Sequence, residues 1–142
     1  MQKPKQEKRF EYKGIPCVIL FMPMGYRCGY VGLPKGIAVD TESIRCHGGI
    51  TYTSSHLYHQ EDTDRLWIGF DCGHCIDGYD IEKIEAYFRE DTEAMEVLLC
   101  MRRHYESVNQ EYGFRTLEYC EEQCRDIVDQ IVGIQEEEHA TQ

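Results

Sequence analysis

The spacing of hydrophobic positions changes period once along this chain, after Cys75, and the change separates a strand-forming half from a helical one. Before it, apolar residues alternate or come in short runs. Phe10 to Lys13 predicts a short strand closed by a Lys13-Gly14 turn, and Pro16 to Met22 predicts a second, rich in β-branched and aromatic residues, with proline at its first position. Pro23-Met24-Gly25 turns the chain into Tyr26 to Leu33, so these two segments should form a hairpin. Gly25, Gly29 and Gly32 leave room there for a neighbouring backbone, an aromatic ring or a ligand. Pro34-Lys35-Gly36 ends the strand, residues 37–46 connect, and Gly48 to Thr53 predicts another strand in which Ile50 and Tyr52 alternate with threonines. Leu66 to Phe70, which contains the single tryptophan, reads as a mostly buried strand opening into the loop Asp71-Cys72-Gly73-His74-Cys75.

After Cys75 the period is helical. Ile81, Ile84 and Phe88 share one face of a short helix capped by Asp80, and Thr92 caps a second with the stripe Met95, Leu98, Leu99, Met101 and Tyr105. Asn109 to Gly113 interrupts. A third helix begins near Thr116, burying Leu117, Cys120, Cys124, Ile127, Val128 and Ile131 and exposing Glu118, Glu121, Glu122, Asp126 and Asp129. Strands first and helices afterwards predict a single α+β domain over residues 1–142, an antiparallel sheet from the N-terminal half packed against two or three C-terminal helices. The charged stretches 1–9 and 134–142 are expected to be disordered tails.

Composition adds constraints. With 142 residues, 42% of them hydrophobic, the chain can bury one core without staples. No apolar run reaches the roughly 20 residues of a membrane span, and the basic N-terminus lacks the apolar segment of a secretory signal, so a cytoplasmic protein with reduced thiols is expected. Cys100, Cys120 and Cys124 are read as buried hydrophobes on helix faces. Residues 1–36 carry seven Lys/Arg against two acids, and the remainder eight against twenty-four, which divides the net charge of −11 into +5 and −16. Such an acidic body repels phosphate backbones, so direct nucleic-acid binding is not expected, whereas a basic groove in a partner protein would fit it. A homo-oligomer is left open.

Candidate chemistry gathers at the end of the tryptophan strand. Cys72-Gly73-His74-Cys75 has the letters of a thiol–disulfide oxidoreductase motif, yet Ile76-Asp77-Gly78 follows where such an enzyme continues a helix, and no proline lies downstream. Cys72 and Cys75 also have zinc-knuckle spacing, with Cys46 or His47 available to complete a structural site. His47, Asp71 and His74 could form an acid–base or orienting trio, most simply with Asp71 holding His47. Arg27, Arg45 and Arg65 flank the strands and could converge on a phosphate, with Tyr26, Tyr30, Tyr52, Tyr58 and Trp67 as stacking surfaces. His56 and His59 are read as solvated. The chain has no nucleophile elbow, phosphate loop, dinucleotide fingerprint or His-Glu-x-x-His, so catalysis has no specific support and no cofactor is expected unless zinc is structural.

Gly29-Tyr30-Val31-Gly32-Leu33-Pro34-Lys35-Gly36, His47-Gly48-Gly49-Ile50-Thr51-Tyr52 and Trp67-Ile68-Gly69-Phe70-Asp71-Cys72 with His74 and Asp77 resemble a family of small uncharacterised phage and prophage proteins. The likeness extends to Phe114 to Cys120 and covers most of residues 26–132. That family does not fix a cysteine at the position of Cys75, and the connector 37–46 departs from its pattern. The resemblance implies a protein of a phage or mobile element, in the host cytoplasm, acting by binding against a host defence system. Two routes fit the residues: sequestering a nucleotide-type signal through Arg27, Tyr30, Arg45, His47, Tyr52, Trp67, Asp71 and His74, or blocking a defence nuclease with the acidic helices in the manner of an anti-CRISPR protein. A small enzyme dependent on zinc or on His and Asp, or a thiol oxidoreductase through Cys72 and Cys75, is the alternative.

Overall fold

A computed structural model describes residues 3–57 and 64–140. Five strands, β1 (Lys5–Tyr12), β2 (Ile15–Phe21), β3 (Arg27–Pro34), β4 (Tyr52–Ser54) and β5 (Arg65–Asp71), form one antiparallel sheet in the order β1-β2-β3-β5-β4. Three helices follow, α1 (Ile81–Phe88), α2 (Thr92–Glu111) and α3 (Leu117–Ala140). The chain is thus α+β, with the expected β2–β3 hairpin at its centre. None of the described helices is long and apolar enough to cross a membrane.

Alternation along the strands sends side chains to two different cores. Cys17, Ile19, Val31, Leu33, Ile68 and Phe70 pack beneath the apolar stripe of α3, where Cys120, Cys124, Ile127, Val128 and Ile131 are buried. Val18, Leu20, Cys28, Tyr30 and Trp67 point the other way, against Leu57, Met22, Tyr26 and Tyr52, with the Arg9 guanidinium 5.8 Å from the Trp67 ring. Phe21, at the end of β2, joins a third cluster that seats α1 and α2 through Ile84, Phe88, Ala94, Leu98 and Tyr105. Because both faces are covered, every residue of β2 is buried.

Glycines interlock β3 with β5. Gly29 pairs across from Phe70, Tyr30 from Gly69 and Gly32 from Trp67, so at each step a ring lies over a residue without a side chain. A Cβ added at Gly69 would come within 2.4 Å of the Tyr30 ring and 2.6 Å of the Gly29 carbonyl oxygen, and one at Gly32 would sit 2.8 Å from the Trp67 ring. At Gly29 and Gly32 the occupant of the expected space is an aromatic ring, whereas Gly25 lies against the Ile84 side chain. The ring-over-glycine interlock fixes the register, since a one-residue slip would set Tyr30 against Phe70 in one direction and against Ile68 in the other, and would turn every side chain to the wrong face.

Several elements differ from expectation. The basic N-terminus is not a tail: β1 starts at Lys5 because Glu7 finds buried partners and Phe10 joins the α3-side core. At the other end α3 continues to Ala140, past the residues expected to fray. The strand expected from Gly48 begins only at Tyr52, because Gly48 and Gly49, at φ +68° and +79°, make a tight turn. Asp91 rather than Thr92 caps α2, accepting from the Ala94 N–H at 3.1 Å. Glu121 is buried on α3 and paired with Lys8 rather than solvated. Cys100, Leu99 and Met101 face outward, because Ala94, Leu98 and Tyr105 alone make the buried stripe of α2.

Two glycines should respond in opposite directions to alanine. Gly69→Ala must displace the Tyr30 ring or the β3 backbone and should cost about 1–3 kcal/mol. Gly133→Ala in α3 meets nothing within 4 Å and should gain about 0.5–1 kcal/mol from reduced chain entropy. Urea denaturation of the two variants against the parent measures both.

Candidate functional site

Three segments meet beyond the end of β5: the turn 46–49, the loop 72–77 and the first turns of α3. Each is shaped by its own sequence. The left-handed pair Gly48-Gly49 closes a turn whose Gly49 N–H donates to the Cys46 carbonyl at 3.0 Å and turns His47 inward. Asp77 donates its backbone N–H to the His74 carbonyl at 2.9 Å, making the tight turn that lays His74 beside the Asp77 carboxylate. The His74 ring rests on Gly48, where an added Cβ would fall 2.4 Å from it.

Asp77 is the hub. Its side chain is 1% exposed, and Oδ2 faces His47 Nε2 and His74 Nδ1, each at 2.9 Å, while also accepting from the His74 backbone N–H at 3.1 Å. Oδ1 accepts from Arg115 Nε at 3.2 Å. Burial raises the cost of the Asp77 charge, but the hydrogen bonds from His47 and His74 outweigh it and bring the carboxyl down to about 2 from an ordinary 3.8. A carboxylate can only accept, so the two ring nitrogens that face it carry protons. His47 is held further from α3: its Nδ1 lies 2.8 Å from the Tyr119 hydroxyl, and its backbone N–H donates to Gln123 Oε1 at 2.8 Å. His74, at 36% exposure, turns Nε2 outward, 3.9 Å from Asp71 Oδ1.

This geometry redistributes the expected roles. Asp71 does not hold His47; it accepts from Thr51 Oγ1 at 3.0 Å and from the Gly73 N–H at 3.1 Å, and Asp77 takes the histidine instead. The cysteine site does not form. Cys72 points into the α3-side core with Sγ 3.9 Å from Cys120 Sγ, Cys75 is exposed, and Cys46 is half-buried beside that core. The contact with Cys120 and burial push the Cys72 thiol far up, and burial raises Cys46 to about 11, the reverse of what a nucleophilic thiol requires. All eight cysteines are free.

The arginines do not converge either. Arg27 is buried and saturated: Nε donates to Glu7 at 2.6 Å, and the two terminal nitrogens to Asp80 at 3.0 Å, Glu7 at 3.2 Å and the Arg115 carbonyl at 3.1 Å. Arg45 is exposed, its backbone N–H and carbonyl both held by the Gln130 amide, and Arg65 donates to the Gly32 carbonyl at 3.0 Å. Tyr30 and Trp67 lie in the second core, on the sheet face away from α3, with Tyr52 edge-on to Tyr30 at 5.1 Å between centroids. His56 is exposed, whereas Tyr58 and His59 lie outside the described residues. Of the expected ligand-binding residues, His47 and His74 come together, with Asp71 at the rim. Asp77, Arg115, Tyr119 and Gln123 complete the site; the first three lie in the segments that carry the resemblance, and the three-residue spacing of His74 and Asp77, that of a turn, is a further signal.

His47, His74 and Asp77 are the group of three ligating side chains that the described residues offer a metal ion, with one atom of each lying within 4.8 Å of the others. No family model, curated protein or solved structure matches this chain. Fold and site together define a small α+β domain with a His-Asp-His corner, built on a buried carboxylate, at one end of its sheet.

Acid should reveal the hub. Asp77 is held below its unfolded value, so its contribution is present above about pH 4 and is lost as pH falls toward about 2. From that difference the contribution is roughly 2 kcal/mol. Chemical denaturation across this window should show the parent losing stability and Asp77→Asn, already weaker at neutral pH, following a flatter profile.

Proposed function

We propose that the protein acts by binding, through a divalent transition-metal ion held by His47, His74 and Asp77. One observation carries this reading: two imidazoles from separate loops and a buried carboxylate bring one ligating atom each within 4.8 Å of the others. The surrounding residues do what the outer shell of a metal site does. Tyr119 orients the His47 ring from its far nitrogen, and Arg115 occupies the Asp77 oxygen that faces away from the histidines. Metal would replace the two protons that the histidines now direct at Asp77, so uptake is coupled to proton release. An imidazole and carboxylate set without thiolate suits zinc, cobalt, nickel or manganese better than copper(I). Three protein ligands leave a fourth position for a group on a bound molecule.

In the phage or mobile-element setting that the sequence resembles, we propose that this action opposes a host defence component. The open metal position then supplies the contact to an anionic signal or partner that Arg27, already saturated by Glu7 and Asp80, does not offer. The acidic body fits a basic partner surface in the same setting.

Titration calorimetry of chelator-treated protein with zinc, cobalt, nickel and manganese salts tests the site. Binding at one ion per chain is expected for at least one of them, with thermal stabilisation of about 2.7 kcal/mol at a hundredfold excess over Kd. His74→Ala, in a half-exposed ring, should abolish binding while the fold survives, and Cys75→Ser should bind like the parent. Absence of binding by all four ions, or loss of binding in Cys75→Ser with retention in His74→Ala, overturns the proposal.

A further inference from the structure

Two sulfurs touch where the end of a strand meets the start of a helix. Cys72, the residue after β5, and Cys120, in the first turn of α3, are 1% and 0% exposed, with their Sγ atoms 3.9 Å apart. Small aliphatic side chains would fill that space as well, so packing alone does not require a pair of thiols. The two residues stand 48 positions apart, and the chain between them contains the whole of α1 and α2. A bond between them closes a long loop, the kind whose closure takes most freedom from the unfolded chain.

Position singles out this pair among the buried thiols. Cys17 is held in the ladder from both sides, by Phe10 and by Val31, and Cys124 stands in the interior of α3. Cys28 points into the core on the opposite face of the sheet. Cys72 and Cys120 each lie at the end of an element, beside the loops 72–77 and 112–116, where the backbone has room to shift. A disulfide holds its sulfurs about 2.0 Å apart, an approach within reach of side-chain rotation and a small movement of those ends.

We infer that Cys72 and Cys120 form an oxidative modification site, at which a hydroperoxide makes a disulfide that staples the start of α3 to the end of β5. With hydrogen peroxide, one sulfur attacks an oxygen, forming a sulfur–oxygen bond as the oxygen–oxygen bond breaks and one water leaves. The other sulfur then attacks the first, forming the sulfur–sulfur bond and expelling the hydroxyl as a second water. The two thiol hydrogens leave in those waters; the sulfurs are oxidised and the peroxide is reduced. Burial makes this a single event rather than a turnover, because an oxidant reaches the pair only when the first turn of α3 lifts. The staple joins the strand end that leads to His74 and Asp77 to the helix turn that carries Tyr119 and Gln123.

Hydrogen peroxide treatment of the folded full chain carrying Cys75→Ser and Cys100→Ser, which removes the two exposed thiols, tests the inference. The dose is set by oxidation of the exposed Met24. Non-reducing peptide mapping should find the Cys72 and Cys120 segments linked, and dithiothreitol should separate them. The urea midpoint should rise on oxidation and return on reduction. Cys120→Ala should abolish both the link and the rise, whereas Cys124→Ala, equally buried, should keep them. The map of the Cys75→Ser, Cys100→Ser chain reads the pairing even where a core variant fails to fold. Cys72 and Cys120 still open to alkylation after Met24 is oxidised, a link between Cys17 and Cys124 in their place, or a linked chain no more resistant to urea than the reduced one overturns the inference.

Discussion

A buried carboxylate needs partners, and Asp77 has recruited them from every segment at its end of the molecule. His47 comes from the turn before β4, His74 from the loop after β5, and Arg115 from just before α3. Removing a partner from such a group leaves part of its charge uncompensated in a low-dielectric interior. That penalty ties together loops that share no regular hydrogen-bond ladder. Tyr119 and Gln123 extend the tie along the first turns of α3, so the helix that covers the sheet also fixes the His47 ring.

The corner can form only because the sheet delivers its loops in the right place. Rings laid over Gly29, Gly32 and Gly69 hold β5 in one register against β3. In that register Cys72 falls inward under α3 and Asp71 outward, and the chain then turns tightly through His74 to Asp77. Gly48 accepts the His74 ring where any side chain would exclude it. Glycines therefore act at two levels here, first to set the strand register and then to let two histidines approach one carboxylate.

Periodicity made most of the architecture legible. The runs from Pro16 to Met22 and Leu66 to Phe70 are strands, and the three-four spacing from Leu117 to Ile131 is a helix with its cysteines buried. What escaped was decided by partners distant in sequence. Lys5 to Arg9 is polar enough to read as a tail, yet Glu7 is neutralised by Arg27, a residue that looked available for a ligand. The three arginines give no phosphate cradle because they go to different places: Arg27 spends its charge on Glu7 and Asp80, Arg65 donates to the Gly32 carbonyl, and Arg45 stays exposed on the turn held by Gln130. Asp71 is the carboxylate that the strand end itself delivers, while the selection of Asp77 depends on burial, which local sequence does not display. Leu99 and Met101 were assigned to a core because helical periodicity counts apolar residues without knowing which neighbour is present.

The central claim is that Asp77 collects two ring protons that a metal ion can replace. Nitrogen-15 NMR of the histidine rings reads those protons directly. In the metal-free protein near neutral pH, His47 should be protonated at Nε2 and His74 at Nδ1; one equivalent of zinc should remove both signals and shift the same two nitrogens. Protons found on the opposite nitrogens, or ring spectra unchanged by zinc, cobalt, nickel and manganese alike, would contradict the account.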